Sequence, residues 1–182
     1  MVLELFVPIL DRFYELVKAP YLNTEMLWIA LPLLITLVIV ELYFGRYRGE
    51  RLGWNTALTN TLVLIFVSLN LLQRIFKENN GNWVDMLSSS SFIIALVILV
   101  LGIILFFVDF FHVVPKSLAF IFSAHLPINI TAYTAIVLVY NKLPLDINTI
   151  LAWVMLMVVL GGIFFFIKLL EPKPKYDNMY FL

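Results

Sequence analysis

The sequence predicts an all-α integral membrane protein, with five transmembrane helices and an N-terminal amphipathic helix lying in the membrane interface. Three observations predict it. Of the 182 residues, 63% are hydrophobic and only 13% are Asp, Glu, Lys or Arg, whereas a soluble domain carries about 45–50% apolar and about 25% charged residues. Five stretches reach the roughly 20 mostly apolar residues needed to cross about 30 Å of hydrocarbon. The tryptophans at 28, 54, 83 and 153 fall near or beyond the ends of those stretches, as amphipathic rings do at a membrane interface. The same composition excludes other classes. Disorder requires low hydrophobicity and high net charge, but here 12 basic residues balance 12 acidic ones. Zero net charge gives no basic footprint for nucleic acid. The absence of cysteine removes disulfides, thiolate nucleophiles and Cys-held zinc.

The chain reads as one polytopic domain over 1–182. Residues 1–20 form the interfacial helix. Glu4, Pro8, Asp11, Glu15 and Lys18 recur at steps of four and three, so the non-apolar positions make one stripe, opposite Leu3, Phe6, Leu10, Phe13 and Val17. That pattern fits a helix lying in the interface plane or docked on neighbouring spans, and Pro20 ends it. The segment lacks the positively charged start of a secretory signal. Span one covers 26–44 and carries Pro32 as a kink. A basic loop, Gly45-Arg-Tyr-Arg-Gly-Glu-Arg51, leads to span two over 54–75. Thr56, Asn60, Val63, Val67, Asn70 and Arg74 form a seam along span two, and asparagines on such a seam bond across helices or line a pore. Ser88 to Ser91 supply the N-cap of span three, which covers 92–112 and aligns Gly102, Asp109 and His112 on one face. Span four covers 117–140 and span five 150–170, the latter with the adjacent pair Gly161-Gly162.

Lys and Arg near span ends set orientation. With the arginine loop cytoplasmic, that side holds Arg46, Arg48, Arg51, Lys116, Lys168, Lys173 and Lys175, and the other holds Arg12, Lys18, Arg74, Lys77 and Lys142. The expected placement is multi-pass in the cell membrane, N-terminus outside and C-terminus cytoplasmic.

Ionisable residues inside a span are costly and mark cavities, ion paths or buried pairs. The candidates are Glu41, Asn60, Asp109, His112, His125 and Asn129, nearly all in the cytoplasmic half. Asp109 has a simpler reading as the partner of Arg46, Arg48 or Arg51. The sharpest local signal is His125-Leu-Pro-Ile-Asn129. Pro127 has no N–H, so the carbonyl of Ser123 loses its helical partner, and His125 and Asn129 fall on one face beside the break. Broken helices with freed carbonyls hold ions and substrates in transporters, although prolines also serve as simple kinks in membrane helices.

Enzyme signatures are sparse. The arginine loop through Asn60, His112-Val-Val-Pro115 and His125 with Asn129-Ile-Thr131 partly resemble the membrane fatty-acid hydroxylase/sterol desaturase pattern. That family holds two metals in closely spaced histidine boxes. This chain has two histidines, with Ile121 and Ala124 at intermediate positions, so it is not assigned there. No nucleophile elbow, Walker loop or H-E-x-x-H occurs, and the sequence calls for no metal and no cofactor. The leading expectation is a small non-catalytic subunit or scaffold of a homo-oligomer or larger membrane complex, with the lipid bilayer and another membrane subunit as partners. The alternatives are a small ion channel or transporter with a polar cavity around Pro127, and a membrane-embedded lipid-modifying enzyme.

Overall fold

An apolar run satisfies its backbone polar groups internally only as a helix or a closed barrel, and this chain uses helices. The structure is a computed structural model and describes residues 2–46 and 53–170. Among these, all regular elements are helical: α1 (Val2–Leu22), α2 (Leu27–Arg46, preceded by a single 3-10 turn), α3 (Trp54–Glu78), α4 (Trp83–Ser88), α5 (Ser90–Phe110), α6 (Lys116–Phe122), α7 (His125–Tyr140) and α8 (Ile147–Leu170). Five helical segments are long and apolar enough to cross a membrane: Thr24–Arg46, Trp54–Glu78, Ser90–Phe110, Lys116–Tyr140 and Ile147–Leu170. They match the five expected stretches, with ends shifted by a few residues.

The central post is α7. It packs against α3 and α5 on one side and α2 and α8 on the other, while α3 pairs closely with α5 and α1 lies on α8. Its residues from Ala135 to Val139 are apolar and at most 2% exposed. Small residues let the neighbours close in. At Gly102 an added Cβ would meet Leu64 Cβ and Ile65 Cγ1 at 3.0 Å and Ile65 N at 3.2 Å, so α5 approaches the α3 backbone at the position the sequence singled out. Gly161 and Gly162 make no comparable approach, since Gly162 has nothing within 4 Å. The buried side of α3 runs through Ala57, Asn60, Thr61, Leu64, Val67, Ser68, Leu71 and Ile75. The expected seam meets it at Asn60 and Val67, and Asn70 points outward.

Local signals are met at the caps. Ser89 is the N-cap of α5, its Oγ accepting from the Phe92 N–H at 3.1 Å. Asn82 caps the short α4, accepting from the Val84 N–H at 3.0 Å.

Two features of α1 differ from expectation. Pro20 does not end the helix, which continues to Leu22. The carbonyl a proline at 20 leaves without an N–H is that of Leu16, and Tyr133 Oη on α7 donates to it at 2.7 Å. The docked face carries Leu16 and Ala19, with Phe13 packed beside them. Phe6, Leu10 and Val17, from the expected apolar stripe, remain exposed together with Tyr21. The helix is thus apolar over two adjoining faces. One rests on the bundle, and the other, about a quarter-turn round, is uncovered.

Charged side chains tie the helix ends together. Arg74 on α3 bonds Glu25 at 3.0 Å and Glu78 at 2.7 Å, and its guanidinium stacks 3.7 Å from the Tyr140 ring centroid. Arg12 on α1 meets Asp146, just before α8, at 3.3 Å. Burial pushes the Asp146 carboxyl up. The Thr149 N–H and hydroxyl, together with Arg12, outweigh that and hold it below the usual carboxylate range.

Candidate functional site

The site is built by Pro127. Its ring forbids an ordinary helical approach to the carbonyl four residues back. The chain therefore ends α6 at Phe122 and restarts α7 at His125, with Ala124 extended at φ −68° and ψ 158°. Pro127 becomes the third residue of α7, within the first turn, where N–H groups have no partner inside the helix. The break at Ser123–Ala124 thus lies about one turn before the proline.

Beyond the break, the freed Ser123 carbonyl accepts a hydrogen bond from Asn60 Nδ2 on α3 at 2.7 Å. Both residues are buried, at 0% and 3% exposure. Asp109, in the last turn of α5, is 1% exposed, and neither of its carboxylate oxygens has a hydrogen-bond partner. The Ser123 hydroxyl acts on it through a side-chain hydrogen bond and His112 through its charge, although the Ser123–Asp109 contact falls outside strict hydrogen-bond geometry. The two Asp109 oxygens and Ser123 Oγ, from α5 and the break, therefore lie together, buried, next to the Asn60 bond.

On the other side of α7, Glu41 of α2 pairs with Lys168 of α8 at 2.5 Å, with side-chain exposures of 13% and 32%. His125, at the start of α7, lies within electrostatic reach of Glu41 and 6.1 Å, ring to ring, from Phe44. Asn129 donates Nδ2 to the His125 carbonyl at 2.8 Å. Its Oδ1 has no partner, and the residue lines an apolar groove of about 420 Å³ walled by α1, α2, α7 and α8.

The six candidates therefore form two groups around the break, Asn60 with Asp109 on the α3/α5 side and Glu41, His125 and Asn129 on the α2/α8 side. His112 stays within electrostatic reach of Asp109 but not on one helical face with it. The helix stops at Phe110, and His112 adopts φ 53°, so the three-residue spacing to Asp109 no longer describes one helical face. The His112 ring turns out to Trp54, 4.1 Å between centroids. Arg46 ends α2 with its side chain exposed, and Arg48 and Arg51 lie outside the described residues. Among the described residues Asp109 has no ion pair, and its expected pairing with Arg48 or Arg51 falls outside them.

Lys168 and Ser123 Oγ are the site groups that sequence reasoning passed over. The available signal for Lys168 was depth, because a carboxylate and an ammonium sit at corresponding ends of two spans. Among the described residues no three His, Asp or Glu side chains gather as a metal-ligand set. No family model, curated protein or solved structure matches the chain.

Proposed function

We propose that the chain is a multi-pass protein of the cell membrane, N-terminus outside, that acts by contact as a subunit or scaffold of a homo-oligomer or larger membrane complex. The excess of Lys and Arg around the arginine loop supports the orientation. The observation that carries the reading is the sealed centre of the bundle. From Ala135 to Val139, α7 is apolar and at most 2% exposed. This plug separates the polar groups near the break from the Arg74 group at the other end. The polar groups at the two ends largely serve to join helices, as in Glu41–Lys168, Arg74–Glu25 and Asn60–Ser123. Purification in mild detergent should give a defined oligomer or a co-purifying membrane partner. A clean monomer from native membranes, with no partner under cross-linking, would overturn the reading.

A second reading is a small ion channel or transporter working around the broken helix. One observation favours it: Asp109 is a buried carboxylate without a partner, and an ionisable group inside a membrane helix is by default a functional one. Reconstituted liposomes should then show ion flux that falls when Asp109→Asn is introduced, and vesicles with no flux above empty controls would exclude it.

A further inference from the structure

We propose that Asp109, Ser123 and the helix break form a binding site for a small monovalent metal cation of the sodium class. The inference concerns binding alone, so it stands apart from transport and from the oligomeric state.

The side chains that face one another here have surplus acceptors. Neither carboxylate oxygen of Asp109 meets a partner in strict hydrogen-bond geometry; the Ser123 hydroxyl lies near enough to act on the carboxylate through a side-chain hydrogen bond, and its oxygen keeps lone pairs for a cation. The Ser123 carbonyl uses one lone pair on Asn60 Nδ2 and keeps the second, since a carbonyl oxygen accepts twice. Leaving an ionised carboxylate bare in an apolar interior costs far more than leaving a neutral amide bare, and either a proton or a bound cation relieves that cost; the oxygen acceptors gathered beside Asp109 favour the cation. The backbone adds to the demand. Ser123 is the C-cap of α6, and the C-terminal end of a helix carries partial negative charge from carbonyls without N–H partners. Asp109 thus faces the negative end of a broken helix, an arrangement in which freed carbonyls and half-helix C-termini coordinate cations in membrane proteins.

Charge and ligand type select the ion. One carboxylate supplies one negative charge, so a monovalent cation leaves the buried site neutral and a divalent one leaves it charged. The donors are all oxygens, a carboxylate, a hydroxyl and a carbonyl, which suit a hard ion rather than a soft or imidazole-bound one. His112, a titratable group that acts on Asp109, stacks its ring on Trp54.

The test is thermal unfolding of the full chain in detergent, titrated with sodium chloride against choline chloride at constant ionic strength. Sodium binding should raise the midpoint saturably. At a sodium concentration 100-fold above Kd, the folded-to-unfolded ratio should rise about a hundredfold. Asp109→Asn should abolish the sodium response and Ser123→Ala should weaken it, while Glu41→Gln, on the other side of α7, should leave it intact. Should Asp109→Asn fail to fold, calorimetric titration of wild type and Ser123→Ala with sodium chloride decides the matter. Identical midpoints in sodium and choline for wild type, or a sodium response unchanged in Asp109→Asn, would overturn the site. So would calorimetric heats that are absent in wild type or equal in Ser123→Ala.

Discussion

Asn60→Leu tests whether a side chain replaces the hydrogen bond that Pro127 removes. The Asn60 amide reaches the Ser123 carbonyl at 2.7 Å across 63 residues of sequence. Leucine keeps similar volume and removes the donor, leaving the carbonyl buried without a partner. Such a loss costs about 1–3 kcal/mol in a protein interior, and interhelical bonds measured in membranes lie lower, averaging about 0.6 and reaching about 1.7 kcal/mol. With Asn60 and Ser123 both essentially inaccessible, the upper part of the membrane range applies. We expect a loss of about 1–2 kcal/mol, roughly 5- to 30-fold in the folded-to-unfolded ratio. The decisive measurement is a double-mutant cycle with Pro127→Ala. Alanine restores an N–H at 127 that can bond the Ser123 carbonyl within a continuous helix, so Asn60→Leu in that background should cost less than about 0.5 kcal/mol. The coupling is then about 1 kcal/mol, within the usual range for contacting residues. Reversible unfolding in mixed micelles, followed by tryptophan fluorescence, gives all four free energies. Equal costs of Asn60→Leu with and without Pro127 would refute the argument that Asn60 stands in for the missing backbone donor.

Three further outcomes are expected. Gly102→Ala should destabilise by about 1–3 kcal/mol, the usual cost of overpacking, because its Cβ would meet the α3 backbone and Leu64 Cβ; Gly162→Ala, with open space around it, should be neutral or stabilising in the same unfolding assay. Asp146 has a folded-state pKa held below its unfolded value, so its contribution is present at neutral pH and is lost as pH falls below about 4. Melting curves from pH 6 to pH 3 should therefore fall less steeply for Asp146→Asn than for wild type. Glu41→Gln or Lys168→Met alone should each destabilise by about 1–2 kcal/mol, since the remaining charge is left half-buried, whereas the double variant should recover most of the loss. Equal or additive losses in the double variant would show that the pair is not coupled.

The helices were legible in the sequence because an apolar run of about 20 residues has few other stable forms in lipid. The Ser89 cap was legible for the same local reason, since a serine run before an apolar segment offers its hydroxyl to the N–H groups without helical partners. At Pro127 the covalent structure alone identified the Ser123 carbonyl as the group to be satisfied, and the structure bears that out. The donor was not legible, because Asn60 is distant in sequence and span two offers several amides and hydroxyls. The pairing of Glu41 with Lys168, 127 residues apart, was hidden in the same way. The shared helical face of Asp109 and His112 was misjudged for the opposite reason. The helical spacing does not hold two residues past the end of the helix at Phe110, and the left-handed turn at His112 takes its ring onto Trp54.

The prolines at 20 and 127 solve one problem in the same manner, and this explains how the packed helices find one register. Each proline frees a carbonyl, Leu16 and Ser123 respectively, and each carbonyl is taken by a side chain from another helix, Tyr133 Oη in one case and Asn60 Nδ2 in the other. A carbonyl left buried without a partner costs about 1–3 kcal/mol, so each proline makes separation of that helix from its partner unfavourable. Slippage by one residue is equally unfavourable, because a hydrogen bond does not tolerate the displacement. Both latches close on the central post: Tyr133 belongs to α7, and Ser123 lies immediately before it. One sets α1 against α7, and the other sets α3 against the start of α7. A proline that would be a hinge in an isolated helix becomes a fixed point when its freed acceptor is claimed by a neighbour. The site beside the second latch is thereby held still: Asn60 fixes Ser123, and Ser123 presents its hydroxyl to Asp109 from a position that α6 and α7 cannot change independently.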